Sequence, residues 1–213
     1  MPDSIADIRQ EYLLASLHRS DLHQDPLTQF IHWFADAQRA EIPDVNAMTL
    51  STCDHHYRSH SRIVLLKGVE EGKFIFFTNY QSAKGRELDQ VPQASLVFYF
   101  KELQRQIRVE GSVGKLSAEQ SEAYFASRPR ESQLGAWASI QSEPLDHRST
   151  LENRYRELEA SYQGRSVPKP PHWGGYALDP DYMEFWQGRM SRLHDRFAYR
   201  KEAGHWKLDR LNP

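Results

Sequence analysis

The chain has 213 residues, of which 39% are hydrophobic and 26% charged, and its formal net charge is −2. This composition supports a packed core and excludes wholesale disorder, and the charge argues against a protein that binds nucleic acid or an anionic membrane through its overall charge. No apolar run approaches the roughly 18 residues that a membrane-spanning helix needs, and the first residues do not have the pattern of a secretory signal. We therefore expect a cytoplasmic protein with a single domain over residues 1–213.

The first half of the chain predicts a helical start followed by strands. The first forty residues have a helical pattern, in which Asp25 is the expected N-cap and Pro26 the first residue of a helix. From Ala47 the hydrophobic period changes to that of strands. Strands are predicted at residues 48–52, 62–67, 73–78, 94–100 and 104–113.

The second half of the chain predicts two helices and then more strands. Residues Ser117 to Gln120 form a capping box that opens a helix to about Ala126, and a second helix is expected over residues 151–162. Short strands are predicted at residues 175–178, 183–187, 197–200 and 206–211. Seven to nine short strands that do not alternate regularly with helices favour an α+β fold, a β-barrel wrapped by helices, over a doubly wound parallel sheet.

Arginine supplies 19 of the 27 basic residues, and four clusters combine basic side chains with hydroxyl or aromatic groups. In the first cluster Arg62 and Lys67 bracket an apolar strand; positions five apart on a strand face opposite sides, so the two charges cannot share one purely solvated face. The second is a polar turn around Ser82 and Lys84 that leads into a helix, a pattern typical of phosphate binding. Taken alone, the first cluster is better explained by two solvated strand ends, and the second pattern is shared by many ordinary turns between a strand and a helix.

The third cluster places Tyr124, Arg128 and Ser132 four residues apart, an alignment that Pro129 makes approximate. Its alternative explanation is a solvated helix end. The fourth, residues 184–196, gathers three arginines, a histidine and a tryptophan around a glycine turn, an arrangement that suits a flat aromatic ligand. The histidines of residues 55–60 lie in an expected hairpin loop, and the single Cys53 cannot build a cysteine zinc site, so no metal site is predicted.

These clusters coincide with segments of one known family. The sequence resembles the pyridoxamine/pyridoxine 5′-phosphate oxidases from about Ile8 to Pro213. The resemblance rests on an ordered set of segments: Arg62-Ile-Val-Leu-Leu-Lys67, Thr78-Asn79, Gly85-Arg-Glu-Leu88, Ser127-Arg-Pro-Arg-Glu-Ser-Gln133, Gly135-Ala-Trp137, Gln141-Ser142, Trp173-Gly-Gly175, Glu184-Phe-Trp-Gln-Gly188, Arg192-Leu-His-Asp-Arg196 and Asp209-Arg-Leu211.

The resemblance implies an antiparallel split β-barrel that binds FMN and forms a homodimer with its FMN sites at the subunit interface. It further implies an N-terminal segment, residues 1–24, that closes over the substrate, and a C-terminal region, residues 170–213, for dimerisation and substrate binding. The implied FMN contacts are Arg62, Ile63, Val64, Leu65, Leu66, Lys67, Phe77, Thr78, Lys84, Gln106, Gln141, Ser142, Trp186 and Arg196. The implied substrate contacts are Arg9, Tyr12, Lys67, Tyr124, Arg128, Ser132, Arg192 and His194, of which Arg192 and His194 are the catalytic pair.

The implied reaction is the oxidation of pyridoxamine or pyridoxine 5′-phosphate to pyridoxal 5′-phosphate by O2, which gives hydrogen peroxide and, from the amine, ammonia. The flavin supplies the redox chemistry, and the protein positions and polarises the substrate. Two positions depart from the family pattern. Ala83 stands where the family usually has an arginine in the FMN-phosphate turn, and residues 56–59 replace a Gly-x-Pro hairpin turn.

Three other functions compete with this one. A split-barrel flavoprotein with a different substrate, such as a flavin reductase or a haem-utilisation protein, would not need the Tyr124, Arg128, Ser132 and Arg192-Leu-His194 groups. A non-catalytic carrier of pyridoxal 5′-phosphate would keep the phosphate cluster but not hold FMN, and Ala83 alone favours it. A nucleic-acid-binding module is disfavoured by the net charge and the lack of a basic stripe.

Overall fold

The structure is a computed structural model, and it describes residue 4 and residues 11–213. The chain divides into two compact units, which are treated separately below. The first unit comprises Met1–Thr49, Ser95–Glu110 and Pro180–Pro213, and the second comprises Leu50–Ala94 and Gly111–Asp179. Within residue 4 and residues 11–213, no helix is both long and apolar enough to cross a membrane.

The described residues form five α-helices and nine strands. The helices are α1 (Pro26–Arg39), α2 (Ala83–Gln90), α3 (Ala118–Ser127), α4 (Arg130–Ala138) and α5 (Arg148–Ser161). The strands are β1 (Ala47–Cys53), β2 (Ser59–Leu65), β3 (Gly68–Glu70), β4 (Lys73–Asn79), β5 (Gln93–Phe100), β6 (Arg105–Lys115), β7 (Trp173–Gln187), β8 (Asp195–Glu202) and β9 (His205–Leu211).

The strands form one sheet in the order β2-β1-β5-β6-β7-β4-β3, with β8 bonded to β7 and to β9. The β3–β4, β4–β7, β7–β8 and β8–β9 pairs are antiparallel. This mixture of an antiparallel sheet with helices confirms the predicted α+β class.

The core of the first unit forms under α1. Asp25 caps this helix by accepting hydrogen bonds from the N–H groups of Leu27 and Thr28, and Pro26 is its first residue, as the sequence predicted. The buried face of α1 presents aromatic rings to the strands: Phe30 lies 5.1 Å from Phe98, and Trp33 lies 5.2 Å from Phe185, between ring centroids. These edge-to-face contacts hold α1 against β5 and β7.

The core of the second unit supports the surface on which a cavity forms. Phe125, Leu134, Val167 and Trp173 are buried together. The Phe77 ring stacks on Tyr124 with 3.9 Å between centroids and on Trp173 with 5.4 Å. The Phe77 ring on strand β4 therefore packs against helix α3 and the start of β7.

Two predicted elements differ from the structure. Residues 175–178 and 183–187 belong to a single strand, β7, because Pro180 falls between the β4 register, which ends at Leu178, and the β8 register, which begins at Tyr182. Residues 11–18 are not helical. The N–H groups of Leu14 and Leu17 donate to the side chains of Gln104 and Asp195, so they are not available for helical bonds.

Candidate functional site

The second unit contains a cavity of about 840 Å³. A volume of this size accommodates small-molecule ligands. Twelve of the residues that the sequence predicted for the site line it: Arg62, Ile63, Val64, Leu65, Lys67, Phe77, Thr78, Lys84, Tyr124, Arg128, Ser132 and Gln141. Leu66 is buried, with 7% of its surface exposed, and neither it nor Ser142 lines the cavity.

Arg62 and Lys67 both line this cavity, although they lie five positions apart in the chain. Strand β2 ends at Leu65, so the alternation of faces that separates positions five apart does not extend to Lys67. The backbone N–H of Lys67 instead donates to the carbonyl of Ile75 over 2.8 Å. The turn between β2 and β3 thus brings a second cation to the cavity.

Three hydrogen-bond acceptors hold the guanidinium of Arg62 in place. Its guanidinium donates to the Leu50 carbonyl over 3.3 Å, to the Thr52 hydroxyl, and to the Glu87 carboxylate over 3.3 Å. Glu87 is buried and also accepts hydrogen bonds from Thr52 and from His60. These contacts fix the direction of the guanidinium before any ligand arrives.

Lys84 is the buried cation of the cavity. Its Nζ lies 3.2 Å from each of three oxygens, Thr78 Oγ1, Ser82 Oγ and Gln141 Oε1. Burial, with a smaller contribution from the positive charge of Arg62, lowers the pKa of Lys84 to about 8, and Glu87 opposes the shift. No carboxylate of residues 11–213 bonds to Lys84, and a buried lysine of this kind is suited to an anionic ligand.

The start of α2 is shaped by close backbone packing. Ser82 caps the helix and is fully buried, and its hydroxyl donates to the Asn79 carbonyl, so it is not free for a ligand. A Cβ on Gly85 would lie 2.1 Å from the Tyr80 carbonyl oxygen, so only glycine fits there. The N–H of Ala83 donates to Ser142 Oγ over 3.1 Å, which places Ser142 beside the turn.

Tyr124, Arg128 and Ser132 line the cavity although no single helix carries them. Helix α3 ends at Ser127 and α4 begins at Arg130, with Pro129 between them, and the N–H of Arg128 bonds to the Phe125 carbonyl. The Arg128 guanidinium lies 4.5 Å over the Trp173 ring, and burial lowers its pKa. Its Nη1 is buried and has no hydrogen-bond partner among the described residues.

A second group of predicted residues lies in the first unit. The rings of Tyr12, Trp186 and His194 pack together, with 5.7 Å from Tyr12 to each of the others and 4.6 Å between Trp186 and His194. His194 Nδ1 accepts the backbone N–H of Arg189 over 3.1 Å. Burial, followed by the charges of Arg192 and Arg196, lowers the pKa of His194.

The remaining predicted residues are placed as follows. Arg196 lies opposite Trp186 in the β7–β8 register, and its Nε donates to Glu184 over 2.8 Å. Arg192 ends the 3₁₀ turn Met190–Arg192 and has a left-handed backbone, with φ of 60°. Gln106 lies in β6, and Arg9 is outside the described residues.

Sequence reasoning missed several residues that shape the cavity, among them three that hold its arginines in place. Glu87 and Thr52 orient Arg62, and Trp173 supports Arg128. Glu87 and Trp173 belong to the Gly85-Arg-Glu-Leu88 and Trp173-Gly-Gly175 segments, which identified the family without indicating a role for either residue. Thr52 carried no signal, because a threonine on a strand is ordinary.

Solved structures define the class of the fold. The chain superimposes on PhzG from Burkholderia lata, solved with tetrahydrophenazine-1-carboxylic acid, with a TM-score of 0.88 and 31% identity over 94% of this chain and 99% of that one. An FMN-binding protein from Nostoc punctiforme, related to pyridoxamine 5′-phosphate oxidase, matches with a TM-score of 0.70 and 18% identity over 90% of this chain and 100% of that one. The fold is that of the FMN-binding split-barrel proteins, as predicted.

Sequence relatives define the family. Residues 34–162 match the family model described as pyridoxamine 5′-phosphate oxidase, and residues 173–213 match the C-terminal dimerisation region of pyridoxine 5′-phosphate oxidase. Pyridoxine/pyridoxamine 5′-phosphate oxidases from Paraburkholderia phymatum and a Cyanothece strain are 54% and 52% identical, over 99% and 100% of both chains. The chain therefore belongs to the pyridoxine/pyridoxamine 5′-phosphate oxidase family of oxidoreductases.

Proposed function

We propose that this protein is an FMN-dependent oxidase that converts pyridoxamine 5′-phosphate and pyridoxine 5′-phosphate to pyridoxal 5′-phosphate with O2, releasing hydrogen peroxide and, from the amine, ammonia. The observation that carries the proposal is the cavity of the second unit, which is lined by four cations, Arg62, Lys67, Lys84 and Arg128, together with hydroxyl and amide side chains. Two phosphorylated ligands require two anion sites.

The residues around Lys84 fit the phosphate of FMN. Arg62 and Lys84 supply two cations, and Thr78 and Gln141 supply polar groups beside them. The apolar side chains of Ile63, Val64 and Leu65 line the same cavity and suit a flat ring system. Gln106, Ser142, Trp186 and Arg196 complete the proposed FMN set.

The residues around Arg128 fit the phosphate of the substrate. Its buried Nη1 lacks a partner among the described residues, which is costly unless a ligand supplies an acceptor. Tyr124 and Ser132 offer hydroxyl groups on the same cavity wall, and Lys67 offers a second cation. A dianionic phosphate would satisfy all four groups.

Substrate orientation is assigned to Arg192 and His194 in the first unit, with Arg9 and Tyr12 from the N-terminal segment. FMN, when bound, supplies the two-electron oxidant that O2 regenerates. Burial and the charges of Arg192 and Arg196 lower the pKa of His194 and so favour its neutral ring, whose Nε2–H can donate a hydrogen bond to the substrate. Arg192 supplies a fixed positive charge beside it.

The proposed assembly is a homodimer with the FMN sites at the subunit interface. The match of residues 173–213 to a dimerisation region supports this assembly. A second support is the exposure of apolar side chains on the cavity wall, since Ile63 is 64% and Leu65 42% exposed in the single chain. Apolar surface beside a cavity indicates a surface that another chain or a ligand covers.

One observation favours a second substrate class. PhzG, which is 31% identical, was solved with tetrahydrophenazine-1-carboxylic acid, a tricyclic acid without a phosphate. The sequence relatives at 50–54% identity are instead named for the phosphorylated vitamers, and the unpartnered Arg128 Nη1 suits a phosphate.

A direct assay separates the two substrate classes. The FMN-loaded protein is mixed in air with pyridoxine 5′-phosphate, pyridoxine or tetrahydrophenazine-1-carboxylic acid, and pyridoxal 5′-phosphate or the aromatised product is measured together with hydrogen peroxide. We expect turnover of the phosphorylated vitamer, with a large loss when the phosphate is absent. Turnover of the phenazine acid alone would overturn the proposal.

A further inference from the structure

Asp195 is a buried carboxylate that joins three separate segments of the first unit. Only 4% of its surface is exposed. Its Oδ2 accepts the backbone N–H of Leu17 over 3.1 Å and the guanidinium of Arg189 over 2.9 Å, and its Oδ1 accepts the guanidinium of Arg210. One side chain therefore binds the N-terminal segment, the turn after β7, and strand β9.

The first of these contacts fixes the segment that carries Tyr12. The N–H of Leu17 bonds to Asp195, and the N–H of Leu14 bonds to Gln104 over 3.2 Å. Between these anchors and Gly188 the Tyr12 ring has little freedom, because a Cβ on Gly188 would lie 2.7 Å from that ring. Tyr12 thereby stays packed against Trp186 and His194.

The second contact fixes the residue that orients His194. Arg189 is held at its guanidinium by Asp195, and its backbone N–H donates to His194 Nδ1. An imidazole that accepts at Nδ1 carries its proton at Nε2 when neutral. The Arg189 contact therefore selects the Nε2–H form of His194 and leaves Nε2 as a donor.

We infer that Asp195 is a positioning residue for the substrate site, which holds Tyr12 in place and keeps His194 in its Nε2–H form through Arg189. The inference rests on the proposed function for the substrate that Tyr12 and His194 would contact. The positioning itself is a property of the chain and can be measured without turnover.

A purely structural role for Asp195 makes a different prediction. A buried carboxylate bonded to two guanidinium groups also stabilises the fold, and its loss would then lower stability alone. Positioning predicts a change in the protonated nitrogen of His194, and Arg189→Gln must reproduce it, because Asp195 also adjoins His194 in the chain.

The test compares Asp195→Asn with Asp209→Asn in the full-length, FMN-loaded protein. Asp209 is the matched control because its half-exposed carboxylate on the neighbouring strand β9 pairs with Lys207 at 3.8 Å. The readouts are the ¹⁵N chemical shifts of the His194 ring, which distinguish the two neutral forms, and kcat and KM for pyridoxine 5′-phosphate. A His194→Asn variant assigns the His194 signals.

We expect Asp195→Asn to shift His194 toward a mixture of the two ring forms and to raise KM at least tenfold, and Asp209→Asn to change neither. His194 signals identical to wild type in folded Asp195→Asn would overturn the inference. If Asp195→Asn does not fold, Arg189→Gln removes only the guanidinium contact and must produce the same shift at His194; no shift there would equally overturn it.

These outcomes separate the inference from the proposed function. If the wild-type protein fails to oxidise the vitamer but the His194 signals move in Asp195→Asn, the proposed function fails and the positioning role stands. If the vitamer is oxidised and the signals do not move, the positioning role fails alone.

Discussion

The Nζ of Lys84 lies 3.2 Å from the Oε1 of Gln141, although the two residues are 57 positions apart in the chain. This hydrogen bond joins the first turn of α2 to the segment that follows α4. Lys84 also donates a hydrogen bond to the hydroxyl of Thr78. A buried cation is thus held among neutral oxygens, and its charge becomes available to an incoming phosphate.

The position of Lys84 predicts a pH dependence of FMN binding. The pKa of Lys84 in the free protein is lowered to about 8, and a bound phosphate would raise it. At a pH between these two pKa values, the binding of FMN is accompanied by the uptake of one proton. The affinity for FMN should therefore fall about tenfold per pH unit above pH 8 and be nearly constant below it. Quenching of FMN fluorescence between pH 6 and 10 measures the affinity.

The matched control for this prediction is Lys84→Arg, because an arginine stays charged throughout the range. The slope above pH 8 should disappear in this variant whatever its absolute affinity. An equal slope in both proteins would show that another group titrates.

Ala83 predicts incomplete binding of the FMN phosphate. The family usually places an arginine here, and a charged hydrogen bond of this kind contributes roughly 1.5–3 kcal/mol. Ala83→Arg should therefore tighten FMN binding about tenfold or more, as measured by fluorescence titration. Unchanged affinity would show that this chain compensates for the missing guanidinium elsewhere.

Arg86 is the nearby residue to examine for such compensation. Its guanidinium is bonded to Glu143 over 2.9 Å and to the Gln81 carbonyl, and it does not line the cavity. We expect Arg86→Ala to leave FMN affinity within about twofold of wild type. A large loss would mean that Arg86 leaves Glu143 to reach the phosphate.

Arg128 predicts selectivity for phosphorylated substrates. Replacing it with glutamine removes the buried, unpartnered donor, and the loss of about 1.5–3 kcal/mol corresponds to a rise in KM of about 10- to 150-fold for pyridoxine 5′-phosphate. Reaction with unphosphorylated pyridoxine, and FMN affinity, should change little. Equal losses on both substrates would argue that Arg128 supports the fold through Trp173.

The close packing at Gly85 predicts that any larger side chain at this position destabilises the protein. In Gly85→Ala the new Cβ would meet the Tyr80 carbonyl at 2.1 Å, so the turn or the helix must shift at a cost of about 3 kcal/mol. Urea denaturation measures the loss, and FMN affinity should fall with it. Gly114→Ala is the control, since nothing lies within 4 Å of its Cβ position, and it should have little effect.

Local signals in the sequence predicted much of the fold. The capping box at Ser117 and Gln120 formed as predicted, because both partners lie within one turn of the chain. Residues 175–178 and 183–187 were predicted as two strands, and only the tertiary register shows that Pro180 falls between two pairings of one strand, β7. Long-range partners decide such cases.

The cavity was predictable in residue identity but not in geometry. The basic and hydroxyl residues were identified from their clusters and from the family resemblance. That Arg62 and Lys67 share one cavity depends on where β2 ends, and the placement of Arg62 depends on Glu87, 25 residues away. Side-chain contacts between distant segments are set by packing, which local patterns do not encode.

The central claim is that the protein oxidises a phosphorylated vitamer with bound FMN, and an anaerobic cuvette tests it most directly. The FMN-loaded protein is mixed with pyridoxine 5′-phosphate without oxygen, and the absorption of the oxidised flavin is followed before and after air is admitted. We predict bleaching by the vitamer and return of the colour with oxygen. Bound flavin that stays oxidised in the presence of pyridoxine 5′-phosphate would contradict the account.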